Sequence, residues 1–99
     1  MRVEFKDDDL RQLYTDPAFR IPRYGPDVTT QFRKKVTILC QARDVRDLYA
    51  LVGLHFEKLR GQREGQHSVR LNKRWRLLFE LLEEAPDTYV LVVDIDDYH

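Results

Sequence analysis

The side chains best suited to chemistry lie between Leu59 and Arg76 and at the last two positions, Tyr98 and His99. Between Leu59 and Arg76, arginines alternate with small, polar and apolar residues in a pattern that predicts a strand, a turn and a second strand. Arginines held on strands can bind a phosphodiester, because a guanidinium stays charged and presents its donors in a planar fork. A terminal histidine could move a proton on the bound group, since an unperturbed imidazole titrates near neutral pH. Together these residue types predict that the target is RNA and that it is cleaved.

The charges are unevenly distributed, although basic and acidic residues are equal in number. Residues 1–54 contain ten basic and eight acidic residues, residues 55–78 contain seven and two, and residues 79–99 contain none and seven. The middle block therefore has a local net charge of +5, and such blocks attract polyanions. The alternative is an ordinary solvated hairpin whose arginines pair with the acidic last strand. Charge alone slightly favours that alternative.

Length and composition place the chain among small globular domains. Its 99 residues are enough for one core, so we predict a single domain over residues 1–99. One cysteine, Cys40, cannot form an internal disulfide, which fits a reducing compartment. The N-terminal residues lack the apolar run of a signal peptide, and no apolar stretch is long enough to span a bilayer. We therefore expect a cytoplasmic protein that makes no membrane contact.

The first quarter of the chain reads as a strand and a helix. Alternation of apolar and charged residues over Met1 to Lys6 predicts the strand. Three aspartates at positions 7–9 suit the N-terminus of a helix, because they accept hydrogen bonds from its free N–H groups and oppose its dipole. The segment from Arg20 to Pro26 is rich in proline and ends this helical pattern.

Two further helices are predicted before residue 55. Asp27 is expected to cap the second helix, which runs to about Ala42 and includes Cys40 among its core-facing side chains. Asp44 is expected to cap a short third helix, and Gly53 is expected to end it. The apolar positions of that third helix are Leu48, Tyr49, Leu51 and Val52.

After His55 the hydrophobic period changes to two, which indicates strands. Turns are predicted at Asn72 to Arg74 and at Pro86-Asp87. The near-continuous apolar run from Tyr89 to Ile95 predicts a last strand buried on both faces. A strand, helices and then a three-stranded meander give an α+β fold, with helices covering one face of the sheet.

Alternation along the two hairpin strands predicts which side chains share a face. Ser68, Arg70 and Asn72 share one face, and Arg76 on the next strand belongs to it. Because the apolar sets must point towards the helices, Arg70 and Arg76 are expected on the exposed face. His67 falls on the apolar side and is expected to be partly buried structure, while Asn72 is expected to shape the turn.

The arginine-rich segment and the chain end also resemble a known family. The matching motifs are Leu59-Arg60-Gly61, Arg63-Glu64-Gly65, Ser68-Val69-Arg70-Leu71-Asn72, Trp75-Arg76 and Asp97-Tyr98-His99. In this order and spacing the set resembles the HigB toxins, which belong to the RelE superfamily of bacterial toxin–antitoxin systems. The resemblance implies a microbial-RNase-like (RelE-like) α+β fold, with a small antiparallel sheet and N-terminal helices packed on one face.

The resemblance also implies a function. HigB toxins cut messenger RNA, typically in the ribosomal A site, and they use no metal or other cofactor. In metal-independent cleavage the ribose 2′-hydroxyl attacks the scissile phosphate. A HigA-like antitoxin with a helix-turn-helix domain is the implied partner, together with the ribosome and mRNA. Operator DNA would be contacted only indirectly, through the antitoxin.

The chemistry of the matching residues suggests a role for each. Arg76 is expected at the scissile phosphate with Arg70 beside it, because fixed guanidinium groups stabilise the charge of the transition state. His99 is expected to transfer the proton, and Tyr98 to orient it or to stack on a base. Arg60 matches a family position usually held by lysine and is expected to serve phosphate binding or proton transfer, although arginine is the poorer proton donor. The expected RNA-binding residues are His55, Lys58, Arg63, Lys73 and Arg74.

Other interpretations remain open. A catalytically weak or inactive RelE-like protein could act only as an RNA-binding or antitoxin-binding module. Arg76 could stack on Trp75 or pair with Glu80, and His55 has a different spacing from that of the functional histidine in some family members. The pH dependence of activity would distinguish a nuclease that uses His99 from a binding protein.

Overall fold

A five-stranded sheet is the framework of the fold. The computed structural model describes residues 1–97, and its strands are β1 (Val3–Phe5), β2 (Glu57–Lys58), β3 (Gln66–Arg70), β4 (Trp75–Glu84) and β5 (Asp87–Asp97). Their order across the sheet is β1-β5-β4-β3-β2. The pairs from β2 to β5 are antiparallel, as the predicted meander requires, and the two-residue edge strand β2 was not predicted.

The pairing of β1 corrects the expectation of a purely antiparallel sheet. β1 runs parallel to β5, with Val3 opposite Val90 and Phe5 opposite Val92. Parallel neighbours need a long crossover connection, and here the chain between β1 and β5 includes all of the helices. The sheet is therefore mixed, within the α+β class that the sequence predicted.

Three helices follow β1: α1 (Asp8–Thr15), α2 (Pro26–Gln41) and α3 (Val45–Ala50). The aspartate-rich N-terminus predicted for α1 is confirmed, with Asp7 as its cap, which accepts from the backbone N–H of Asp9 at 2.7 Å. The predicted cap of α3 is confirmed too, because Asp44 accepts from the backbone N–H of Arg46 at 2.9 Å. The Arg46 side chain also donates to Asp44 and holds the pKa of that carboxyl at about 2.

The predicted cap of α2 is wrong. Gly25 occupies the cap position without a side-chain hydrogen bond, and Pro26 is the first helical residue. Proline suits that position because its fixed φ is already helical and its missing N–H would have had no partner in the helix. Asp27 lies in the first turn instead and accepts a hydrogen bond from the side chain of Asn72 at 3.1 Å.

The main core lies between the helices and one face of the sheet. It contains the predicted stripe of α2 and the inward-facing residues of β3, β4 and β5. Its largest fully buried side chains include Phe32, Phe79, Leu13, Leu39, Leu48 and Leu77.

Two apolar expectations fail outside this core. Cys40 is exposed rather than core-facing, because it lies beside the buried Leu39 and one position off the buried stripe. The third helix ends at Ala50, before the predicted end at Gly53, and a 3-10 turn follows at Val52–Leu54. Three residues of this segment are left exposed and are called the α3 apolar patch: Tyr49, Leu51 and Val52.

A bulge in β5 accounts for one residue of its near-continuous apolar run. Leu78 pairs with Asp94 but Phe79 pairs with Val92, so Val93 is an extra residue in β5. Val90, Val92 and Ile95 are buried, whereas Leu91 and Val93 are only partly buried. The expectation of a strand buried on both faces is therefore wrong.

Candidate functional site

The sheet face opposite the helices brings the candidate arginines together. Arg70 lies directly opposite Arg76, and Arg76 lies directly opposite Asp96 on the other side. Ser68, Leu78 and Asp94 form the neighbouring row on the same face. The shared face of Arg70 and Arg76 is confirmed, and it is called the arginine face below.

Arg76 is buried, which corrects the expectation of an exposed side chain. Only 8% of the residue is exposed. Its Nε donates to the hydroxyl of Ser68 at 2.7 Å, and its Nη2 donates to the carbonyl oxygen of His55. The carboxylate of Glu57 lies 3.8 Å from Nη2. Within residues 1–97 the side chain forms no ion pair with Glu80, because Ser68 on β3 and the segment before β3 supply its partners.

The segment from His55 to Gly65 covers the side chain of Arg76. It contains the edge strand β2, and the backbone N–H of Leu59 donates to the carbonyl of Gln66 on β3 at 2.9 Å. Leu59 and Leu78 are buried but do not belong to the core on the helix side. The face that the sequence left open is therefore partly covered at this edge.

Two of the predicted RNA-binding arginines form ion pairs with β5. Arg63 lies 2.9 Å from Asp96 and 3.8 Å from Asp94, and Arg74 lies 2.7 Å from Asp97. The alternative drawn from charge, in which arginines pair with the acidic last strand, is thus correct for these two. Sequence reasoning did not single out Ser68 as a partner of Arg76, although alternation already placed Ser68 on the face of Arg70.

Four basic residues of the same block form no ion pair within residues 1–97: Lys58, Arg60, Arg70 and Lys73. The Nε of Arg70 donates to the carbonyl oxygen of Asn72 at 3.1 Å. Lys58 and Arg60 line a shallow cavity of about 370 Å³, together with Leu59, Gly61 and Glu64. Such cations remain available to an anionic partner.

The candidate basic residues do not all share one face. Lys58 pairs with His67 and therefore lies on the helix side of the sheet, away from Arg76. Lys73 is exposed in the hairpin turn, and His55 is exposed at the start of the covering segment. The structure therefore groups Arg70 with Arg76, and distributes the other candidates around them.

His67 and Asn72 have the structural roles predicted for them. The imidazole of His67 stacks on Phe56 at 5.4 Å and on Phe79 at 6.0 Å between ring centres. Burial lowers the pKa of His67, and the charge of Lys58 lowers it further. The side-chain oxygen of Asn72 accepts from the backbone N–H groups of Arg74 and Trp75, which closes the turn.

Tyr98 and His99 lie outside the described residues, so their predicted roles stay predictions. β5 ends at Asp97, directly opposite Trp75. Within residues 1–97 no cluster of three or more potential metal ligands occurs. In the same part of the chain, no helix is both long and apolar enough to cross a membrane.

Comparison with known proteins decides the family. A family model described as the RelE-like toxin HigB of type II toxin–antitoxin systems matches residues 3–99. The chain belongs to this HigB-like toxin family. Toxin HigB-1 of Vibrio cholerae serotype O1 is 35% identical to this HigB-family chain over 91 residues, which cover 91% of the chain and 95% of that toxin.

Two solved structures are similar to this HigB-family chain in fold. The YoeB/ParE toxin from Agrobacterium tumefaciens gives a TM-score of 0.54 at 13% identity and covers 100% of both chains. A chain of the YoeB-YefM complex from Staphylococcus aureus gives 0.53 at 14% identity, covering 100% of this chain and 97% of that one. At these identities the likeness shows the fold alone, and it confirms the RelE-like fold predicted from sequence.

Proposed function

We propose that this HigB-family chain is an endoribonuclease that cuts messenger RNA in the ribosomal A site without a metal ion. The observation that carries the proposal is the position of Arg70 directly opposite Arg76 on neighbouring strands. Of the two, Arg76 is buried and held by hydrogen bonds. Like charges placed directly opposite each other across strands are destabilising. An RNA phosphate bound at this pair would relieve that repulsion.

The cleavage step requires stabilisation of negative charge on phosphorus. When the 2′-hydroxyl attacks the adjacent phosphate, charge develops on the non-bridging oxygens, and fixed guanidinium groups stabilise it. Arg76 suits this role because its donors to Ser68 and His55 hold it in place before substrate arrives. Arg70 would contact the same phosphate from the neighbouring strand.

Proton transfer is assigned to the chain end and to one residue that sequence reasoning missed. His99 is proposed as the principal proton-transfer group, with Tyr98 orienting it, and Arg60 assisting at the phosphate. Glu57 is a second candidate for accepting the proton of the 2′-hydroxyl, because its half-exposed carboxylate lies beside Arg76.

Binding of the RNA backbone is assigned to the remaining basic residues of the block. Lys58, Arg60 and Lys73 are available for phosphates, since they form no ion pair within the described part of the chain. Arg63 and Arg74 would first have to leave their carboxylate partners.

The α3 apolar patch supports a protein partner, which we assign to a HigA-like antitoxin. Val52 is 81% exposed and Tyr49 is 64% exposed, and clustered apolar exposure of this kind marks interaction sites. The patch continues into a cavity of about 390 Å³ that is lined in part by Ile38 and Leu51 and has one carboxylate, Asp47, in its wall. A further cavity that shares Ile38 is lined by Arg33 and Lys34 without a carboxylate. The occupant that fits is therefore an amphipathic antitoxin segment with acidic residues, and any contact with operator DNA would be through the antitoxin.

To test the nuclease proposal, the wild-type chain and the site variants His99→Ala and Arg76→Ala are each expressed in bacteria. Arg11→Gln serves as the control variant. Arg11 is exposed on α1 and pairs with Asp8, in the helical layer. We expect wild type and Arg11→Gln to arrest growth and to give discrete cuts in a translated reporter message by primer extension. Both site variants should lose the cuts while circular dichroism shows that they are folded.

A harmless wild-type chain that leaves the message intact would overturn the nuclease proposal. The chain would then be a binding module or a silenced relative. Titration with a 2′-deoxy oligonucleotide, which cannot be cleaved by this mechanism, would show whether the arginine face still binds a nucleic-acid backbone.

A further inference from the structure

We infer that His55 contributes to the site through its backbone carbonyl, as a positioning residue for Arg76, and that its imidazole is dispensable. This inference rests on the proposed function, in which Arg76 stabilises charge on the scissile phosphate. It differs from the sequence prediction, which counted the His55 side chain among the RNA contacts.

The backbone of His55 has an unusual conformation. Its φ of 48° and ψ of 50° lie in the left-handed region, and within residues 1–97 it is the one non-glycine residue with a positive φ. Histidine, asparagine and aspartate are enriched there among non-glycine residues, whereas β-branched residues are strongly disfavoured. The backbone N–H of His55 donates to the carbonyl of Val52 at 3.1 Å, which closes the preceding turn.

This conformation directs the His55 carbonyl towards the arginine face. The carbonyl oxygen accepts from Nη2 of Arg76, while the hydroxyl of Ser68 accepts from Nε of the same guanidinium at 2.7 Å. Two acceptors on one planar fork fix its orientation. Ser68 is fully buried, so its hydroxyl is itself held in place.

The chemical nature of these acceptors matters for function. A carbonyl and a hydroxyl are neutral, so they orient the guanidinium without cancelling its positive charge. Carboxylate partners, such as Asp96 for Arg63, neutralise the charge that they hold. The His55 carbonyl and Ser68 therefore fix Arg76 without neutralising it, whereas the half-exposed carboxylate of Glu57, 3.8 Å from Nη2, offsets part of its charge.

The imidazole of His55 takes no part in this arrangement. The residue is exposed, and its ring forms no hydrogen bond with any side chain or backbone group of residues 1–97. The backbone conformation, rather than the side chain, is thus the property that the site requires at this position.

Substitutions that separate backbone from side chain test the inference. His55→Asn and His55→Gly remove the imidazole but tolerate the left-handed conformation, whereas His55→Val disfavours it. We expect Asn and Gly to keep the kcat, KM and pH profile of wild type in RNA cleavage. His55→Val should lose about a hundredfold in kcat, the loss expected when one transition-state donor is removed, with a smaller change in KM. Gln62→Val, at an exposed position of the same segment, is the control for introducing valine.

A second measurement keeps the test independent of folding and of the nuclease proposal. In NMR spectra the Nη2–H protons of Arg76, which bond to the His55 carbonyl, should be protected from exchange in the wild type and in the Asn and Gly variants. They should lose protection in His55→Val while the core amides stay protected. Loss of cleavage or an altered pH profile in His55→Asn with Arg76 still protected would overturn the inference, because the imidazole would then be required. Full activity in His55→Val would also overturn it. A wild-type chain without nuclease activity would defeat the proposed function instead, and the NMR result would still report on Arg76.

Discussion

Arg70 and Arg76 are directly opposite each other on two antiparallel strands, so two positive charges occupy neighbouring positions of one sheet face. Such a pair costs stability, although the carboxylate of Glu57, 3.8 Å from Nη2 of Arg76, offsets part of that cost. Arg76 is also buried, which adds to the cost of its charge. The arrangement is understandable if a phosphate binds there, since stability is often sacrificed where a site must hold a charged ligand.

The first prediction follows from this repulsion. Arg70→Gln should raise the free energy of unfolding by up to about 1 kcal/mol, because it removes one of two like charges. The same change should lower RNA cleavage by about a hundredfold, because one donor to the phosphate is lost. Urea unfolding and a cleavage assay on the same preparation measure both effects, with Arg11→Gln as control. A variant that is no more stable than wild type and cleaves as fast would contradict the role of the pair.

The second prediction concerns the ion pair between Arg63 and Asp96. Both side chains are 40% exposed, so Asp96→Asn should cost at most about 1 kcal/mol of stability. RNA affinity should rise, because a carboxylate is removed and Arg63 keeps only its longer pair with Asp94 at 3.8 Å, which a phosphate can displace. For binding of a 2′-deoxy oligonucleotide, the slope of the logarithm of the binding constant against the logarithm of the salt concentration should steepen by about 1, which corresponds to one added phosphate contact. Unchanged affinity and slope would mean that Arg63 takes no part in binding.

The third prediction uses the lowered pKa of His67, which arises mainly from burial and then from the charge of Lys58. The unfolded chain binds a proton near the ordinary histidine value of about 6.5, whereas the folded chain resists it. The contribution of neutral His67 to the free energy of unfolding is therefore fully present above that pH, and it declines as the pH falls towards the pKa of the folded state. His67→Phe keeps an aromatic ring in the stack but cannot be protonated. Between about pH 7 and pH 5.5, the range where histidine titrates, its free energy of unfolding should therefore fall less than that of the wild type. Identical pH dependence in the two proteins would refute this.

The fourth prediction concerns the α3 apolar patch. Val52→Glu should weaken binding of the antitoxin, because it places a like charge against an acidic apolar segment and removes apolar contact. Val52 is highly exposed, so stability should change by no more than about 0.5 kcal/mol, and RNA cleavage by the free chain should not change. Calorimetric titration with the antitoxin measures the first effect. Ala18→Glu, at another exposed position, is the control; equal affinity of the two variants for the antitoxin would place the partner elsewhere.

The sequence by itself determined the local structure and the shared face of the two arginines. The caps at Asp7 and Asp44 and the turn at Asn72 depend on side chains bonding to backbone groups two or three residues away. Alternation along a strand is equally local, so it correctly placed Arg70 and Arg76 together. The family resemblance added the fold, which the structural comparison confirmed.

Only the tertiary structure decided how the site is enclosed. Arg76 is buried because the segment that contains His55, far from it in sequence, folds across the arginine face. The pairing of Arg63 with Asp96 depends on the register of β5, which the bulge at Val93 shifts. Such contacts join residues that are distant in sequence, and their formation depends on loop path and strand register. Periodicity and capping preferences act over a few residues and carry no information about either.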